Sequence, residues 1–100
     1  MPIAAATEVA TKSERYPMLF SPIKVGTQTV KNRLWMPPVS TNLAIDHGHV
    51  SEALIEHYTN RAKGGVGLIV TEVVTVEPTY VYLPGDMCMA DDSFVPGWEK

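Results

Sequence analysis

The sequence predicts an α/β fold organised around one strand–helix–strand unit, and three observations lead to it. Residues 34–36, Leu-Trp-Met, form a short apolar run that stops at Pro37-Pro38; proline has no N–H to give to a ladder, so a strand ends there or lies at an edge. Leu54, Tyr58 and Ala62 recur at helical spacing between Ser51 and a Gly64-Gly65 stop. Residues 66–76 are rich in β-branched and aliphatic side chains, the composition of parallel strands covered on both faces. Strand, helix and strand in this order form a βαβ crossover, which is right-handed in nearly all proteins.

In chain order, residues 1–15 show no hydrophobic period and mixed charge, so a flexible N-terminal arm is expected. Tyr16-Pro17-Met18-Leu19-Phe20-Ser21-Pro22 is an apolar cluster suited to anchoring that arm. Ile23-Lys24-Val25 and Thr29-Val30-Lys31 alternate apolar and polar residues around Gly26-Thr27-Gln28, the pattern of a small hairpin. After the first strand, residues 43–50 form a loop with a turn at 46–48. Ser51 is the expected N-cap of the helix, and Glu52 suits the positive end of its dipole. Leu54, Ile55, Tyr58 and Ala62 make the buried stripe, while Glu52, Glu56, Asn60 and Lys63 face water. Arg61 and Lys63 occupy the last turn, where cations are favoured. Beyond the Val-rich strand, residues 77–92 read as a long irregular loop broken by Pro78, Pro84 and Gly85. Asp92 or Ser93 is then placed to cap a second helix beginning near residues 94–98.

Composition bounds the function classes. The chain has 100 residues, 45% hydrophobic and 19% charged, which is globular in character and enough for one small domain. A (β/α)8 barrel takes ~250 residues. A single βαβ unit leaves strand edges unpaired and one sheet face uncovered. It is therefore expected as the N-terminal part of a larger barrel or layered sheet, or as a subunit completed by another chain, rather than as a stand-alone domain. The net charge of −3 and pI near 5.5, with scattered basic residues, give no electrostatic footprint for nucleic acid. No run reaches the ~18 apolar residues of a membrane span, and residues 2–10 lack the basic start of a signal peptide. Cys88 stands alone and cannot form an internal disulfide, which fits a reducing compartment; a soluble, cytoplasmic protein is expected.

The chemistry-bearing residues gather where the first strand ends. Ser40, Thr41 and Asn42 follow the double proline and can all donate hydrogen bonds. That stretch reads either as a ligand site built on a rigid strand or as a strand followed by a polar loop. His47 and His49 have no further ligand at recognisable spacing, which favours a polar loop over a metal pair. His57 reads as a surface or packing residue of the helix. Gly64-Gly65-Val66-Gly67 lies between helix and strand, the reverse order of a dinucleotide fingerprint, so it reads as a helix stop. Cys88 has neither a base nor a second cysteine nearby and reads as a packed thiol. Tyr80 and Tyr82 either line a substrate mouth or simply pack.

Four pieces of sequence, in order, carry a family resemblance. They are Leu19-Phe20-Ser21-Pro22-Ile23 before the hairpin, Lys31-Asn32-Arg33 before the first strand, and Pro37-Pro38-Val39-Ser40 after it. The fourth is Arg61-Ala62-Lys63-Gly64-Gly65-Val66-Gly67-Leu68-Ile69-Val70-Thr71-Glu72. Together they resemble the Old Yellow Enzyme family of NADH:flavin oxidoreductases, in particular the branch containing 2,4-dienoyl-CoA reductase and trimethylamine dehydrogenase. The resemblance runs over residues 18–100 and corresponds to roughly the first third of such a catalytic barrel.

The resemblance implies a (β/α)8 TIM barrel of which this chain is the N-terminal part: hairpin, first strand, first helix, second strand and the start of a second helix. Residues 16–100 would be the N-terminal portion of an FMN-binding barrel domain, incomplete at Lys100, with FMN at the C-terminal strand ends. The implied activity is NAD(P)H-dependent reduction of an activated C=C bond, in an enone or a dienoyl or enoyl thioester, by hydride transfer from reduced flavin. By the same resemblance Pro38 and Val39 lie along the flavin ring, and Ser40 hydrogen-bonds near its O4 and N5. The backbone at Glu72 and Val73 approaches the ring, although many relatives carry a smaller residue at the position of Val73. Asn42 stands where some relatives have a substrate-side tyrosine. A 4Fe-4S cluster and FAD are implied only if the remainder follows the dienoyl-CoA reductase branch. No catalytic residue and no metal site is identifiable within residues 1–100. The expected partners are a small-molecule activated alkene and, over the open sheet, a homo-oligomer or the remainder of the same barrel. The rival reading is a non-catalytic βαβ subunit or interaction module completed by another chain.

Overall fold

A computed structural model describes residues 11–79 and 82–100. The first element, α1 (Lys12–Arg15), falls where the end of a structureless arm was expected. Thr11 Oγ1 accepts the Glu14 N–H at 3.3 Å while the Glu14 carboxylate accepts the Thr11 N–H at 2.7 Å. No residue of α1 is buried, so this reciprocal cap, and not packing, holds the turn. The remainder of the expected arm, residues 1–10, lies outside the described residues.

The hairpin forms as expected, one residue tighter. β1 (Ile23–Val25) pairs antiparallel with β2 (Gln28–Val30), Ile23 opposite Val30, across a two-residue Gly26-Thr27 connection. Gly26 takes φ 60°, the positive angle that short hairpin turns demand at this place. Beyond the hairpin, the buried Asn32 ties the strand entrance to the helix exit: its Nδ2 donates to the Gly65 carbonyl at 2.6 Å, and its Oδ1 accepts the Leu34 N–H at 3.0 Å. Arg33 donates its backbone N–H to Leu19 O at 2.9 Å and its Nε to Ser21 Oγ at 3.1 Å. These two bonds seat the proline-punctuated cluster on the strand.

The expected βαβ unit is present. β3 (Trp35–Met36) and β4 (Leu68–Ile69) are parallel, with Trp35 opposite Leu68 and Met36 opposite Ile69. The crossover is α2 (Glu52–Lys63), capped by Ser51 as the sequence indicated. The Ser51 hydroxyl accepts the Leu54 N–H at 3.1 Å and donates to Leu43 O at 2.6 Å. Leu54 is fully enclosed, whereas Ala62, expected in the buried stripe, is exposed. A twelve-residue helix is ~18 Å long and a two-residue strand pair covers ~7 Å, so the sheet ends before the last helical turn.

The expected single strand over residues 66–76 is two strands. β5 (Val74–Thr75) is separate from β4 and pairs in parallel with β6 (Met87–Cys88). The cause lies across the ladder. The Val70 N–H still reaches Met36 O at 3.1 Å, but the partner strand then presents Pro37 and Pro38, which have no N–H to return. Val70 and Val73 are accordingly 44% exposed, not covered on both faces. β6 corrects the reading of residues 77–92 as wholly irregular: Met87 and Cys88 are buried at 2% exposure each, but two residues are too few to show a strand period. Asp91, not Asp92 or Ser93, caps the final segment, its Oδ1 accepting the Ser93 N–H at 2.8 Å. A 3-10 turn (Asp92–Phe94) follows and leads into α3 (Val95–Trp98).

Among the described residues the three two-stranded ladders do not merge. No helix among the described residues is long and apolar enough to cross a membrane.

Candidate functional site at the strand ends

Because β3 and β4 are parallel, their C-terminal ends lie side by side, and the chain leaves both in the same direction. The strand end and the departing segments, residues 36–41 and 70–72, are pinned together at two places. The Val70 N–H bonds to Met36 O at the last rung. Five residues beyond Met36, the Thr41 N–H donates to Glu72 Oε2 at 2.8 Å, and its hydroxyl donates to Oε1 at 2.9 Å and Oε2 at 3.1 Å. Glu72 is buried, at 2% exposure.

Tyr58, reaching in from α2, completes this cluster. Its hydroxyl donates to Glu72 Oε1 at 3.0 Å and accepts the backbone N–H of Glu72, also at 3.0 Å. One oxygen therefore bridges the main chain and the side chain of the same residue. Burial holds the Tyr58 phenol above its ordinary 10.0; the Glu72 backbone N–H works against this, and the carboxylate reinforces it.

The residues singled out in the sequence meet at this end of the unit. Pro38 is exposed, Val39 is 58% exposed and Ser40 half-buried on one segment. On the other, Glu72 is buried and Val73 is exposed. The sequence reading considered only the backbone of Glu72 and placed Tyr58 among the apolar core. Its one overlooked signal was that a buried tyrosine needs a partner for its hydroxyl.

Asn42 has a structural task. It adopts φ 61° and its Oδ1 accepts the Gly85 N–H at 2.6 Å, while the Ala44 N–H donates to Gly85 O at 2.9 Å. The loop after β3 is thereby stapled to the loop before β6. Gly48, at φ 112°, lies so close to Cys88 that a Cβ would overlap it, and its carbonyl accepts the Cys88 N–H at 2.9 Å. His49 stacks on Phe94 at 4.3 Å between ring centroids, and His57 sits edge-on to Tyr58 at 5.1 Å. Among the described residues no group of three or more His, Cys, Asp or Glu side chains is placed to hold a metal. Cys88 is a buried free thiol. Tyr82 is 78% exposed, and Tyr80 lies outside the described residues.

Two hollows flank these elements. One of about 160 Å³ is lined by His47, Thr75, Pro78, Pro84 and the buried Asp86. The larger, about 320 Å³, has mainly apolar walls, among them Leu54, Ile69 and Met87 beneath α2. It includes none of Pro38, Val39, Ser40, Glu72 or Val73. Its lining also includes Tyr58, Thr59, Thr71, Trp98 and Lys100.

Exposed Val39, Val70 and Val73 supply apolar surface on the two paired segments, and Ser40 supplies a hydroxyl. Comparison with known proteins gives the family that this chain resembles. The profile of the NADH:flavin oxidoreductase / NADH oxidase family matches residues 18–100. An NADH oxidase of Thermoanaerobacter brockii is 42% identical over 84 residues, which is 83% of this chain and 13% of that protein. A probable flavin mononucleotide-dependent alkene reductase of Leishmania infantum is 28% identical over 92 residues, 92% of this chain and 25% of that protein. The old yellow enzyme of Trypanosoma cruzi superposes with a TM-score of 0.76 at 31% identity, over 86% of this chain and 23% of that one. The βαβ unit is thus part of a (β/α)8 barrel, as the sequence led us to expect.

Proposed function

This chain belongs to the NADH:flavin oxidoreductase / NADH oxidase family, and on that footing we propose that its strand ends form part of an FMN site in an enzyme that reduces activated alkenes. The supporting observation is the double pinning of residues 36–41 against 70–72 at the C-terminal ends of two parallel strands, where barrel enzymes place their chemistry. When bound, FMN would accept reducing equivalents from NAD(P)H and pass hydride to an alkene activated by a carbonyl or thioester. Pro38 and Val39 give an apolar wall, and Pro37 and Pro38, having no N–H, keep it out of any ladder. Ser40 offers a hydroxyl to the polar edge of the ring. Glu72 contributes backbone, its carboxylate being engaged inward, and exposed Val73 adds apolar surface.

In this reading residues 16–100 belong to an FMN-binding barrel domain, and the catalytic acid and substrate anchors are supplied by other parts of the barrel. A relative's name supports the alkene class: it is named a probable flavin mononucleotide-dependent alkene reductase. The choice between NADH and NADPH, a 4Fe-4S cluster or FAD, a homo-oligomer and a cytoplasmic setting are finer points of the same reading. The visible spectrum of the natural full-length protein tests it, together with NAD(P)H consumption on adding a cyclic enone. Flavin bands and enone-dependent turnover are expected; a colourless protein that takes up no added FMN refutes the reading. Within a flavin-loaded protein, Ser40→Ala should move the flavin reduction potential while leaving FMN affinity largely intact. An unchanged potential removes Ser40 from the site.

A further inference from the structure

We propose that Tyr58 and Glu72 are positioning residues for the flavin site: the Tyr58 hydroxyl locks the Glu72 carboxylate, and the carboxylate holds Thr41 and with it the Pro38-Val39-Ser40 segment. The inference rests on the flavin reading above and concerns side chains that need not touch the ring.

The argument begins from what the segment lacks. Residues 37 and 38 are prolines and cannot donate to a sheet. After the rung between Val70 and Met36 O, the next tie to the neighbouring strand segment is Thr41 on Glu72. Four residues, 37–40, are thus suspended between two anchors, and Ser40 is adjacent to the second. That anchor is a side chain, whose placement depends on its own restraint. Tyr58 provides this by taking the backbone N–H of Glu72 and giving its proton to Oε1. With the Thr41 N–H and hydroxyl on the same carboxylate, three donors converge on two buried oxygens. Groups that orient a binding residue from behind are commonly as sensitive to substitution as the binding residue itself.

The cluster also ties together three elements of the βαβ unit: the exit of β3 through Thr41, the exit of β4 through Glu72, and α2 through Tyr58. An arrangement made only for stability would strengthen the unit without regard to the suspended segment. The two roles separate in the readouts.

The test uses the natural full-length protein, stripped of flavin and reconstituted with FMN, with Tyr58→Phe, Glu72→Gln, the two combined, and Thr41→Val. FMN dissociation constants come from flavin fluorescence, midpoint potentials from spectroelectrochemical titration, and Tm from the apoprotein. Tyr58→Phe and Glu72→Gln should each weaken FMN binding roughly 5- to 30-fold and shift the potential. The double variant should resemble the worse single one, because the two residues act as one unit. Thr41→Val, which keeps the backbone N–H, should give a smaller shift in the same direction. Variants with a lower apoprotein Tm but wild-type FMN affinity and potential overturn the proposal and leave the flavin reading standing. Should Glu72→Gln fail to fold, Thr41→Val and Tyr58→Phe decide by the same criteria. A wild-type protein that binds no FMN overturns both readings, so the two failures are distinguishable.

Discussion

Replacing Asn42 probes the staple between the loop after β3 and the loop before β6, and the geometry sets the size of the effect. Asn42→Ala removes the acceptor of the 2.6 Å bond from the Gly85 N–H. Gly85 is buried, so its amide loses a partner without gaining water, at about 1–3 kcal/mol. Alanine must also hold φ near 61°, a left-handed conformation that costs about 1–2 kcal/mol for a residue with a Cβ and no side chain to bond locally. The sum is about 2–5 kcal/mol. Asn42→Gly loses the bond but not the conformational ease; after the greater chain entropy of glycine, it should be milder than alanine by about 0.5–1 kcal/mol. Asn42→Asp keeps the acceptor and should stay near wild type. Thermal unfolding of the full-length protein gives the ranking, and amide exchange over residues 83–88 localises it. A loss of about 3 kcal/mol corresponds to roughly 100-fold faster exchange at Gly85 if the loops open locally. Equal stability and exchange in wild type and Asn42→Ala would show that this bond does not hold the loops together. Asn42→Gly worse than Asn42→Ala would refute the conformational half of the argument.

The remaining expectations are brief. Gly48→Ala should destabilise the fold by about 2–4 kcal/mol, because it combines φ 112° with overlap onto Cys88; an unchanged Tm would remove the close approach. The Tyr58 phenol titrates above 10.0 in the folded state, so the folded protein retains a proton that the unfolded chain gives up. Stability should therefore be level below pH 10 as far as this group is concerned and fall as pH rises beyond it, and the alkaline fall should shrink in Tyr58→Phe. An identical alkaline limb in both proteins, read from Tm against pH, would show that the hydroxyl is not shielded in the native state.

Much of this protein is local chemistry, and local chemistry is legible in a sequence. Ser51 sits before an amphipathic stretch and its hydroxyl has one natural task, so the helix start was readable to the residue. Gly26 and Pro37-Pro38 dictate a turn and a strand end through the backbone alone. The order of apolar run, helix and apolar run determined the βαβ unit, and the motif set around Pro38 and Glu72 determined the family. What the tertiary structure decided depends on residues distant in sequence. Whether residues 66–76 form one strand or two was decided by prolines on the opposing strand, which no pattern within the run records. β6 exists because Val74-Thr75 and Gly48 lie beside Met87-Cys88, not because two residues have a strand's period. Asn42 found Gly85 across 43 positions, and Tyr58 and Thr41 met on Glu72 from separate elements. Propensity and capping act over one helical turn, whereas a buried carboxylate is satisfied by whichever donors the folded chain brings within hydrogen-bonding distance.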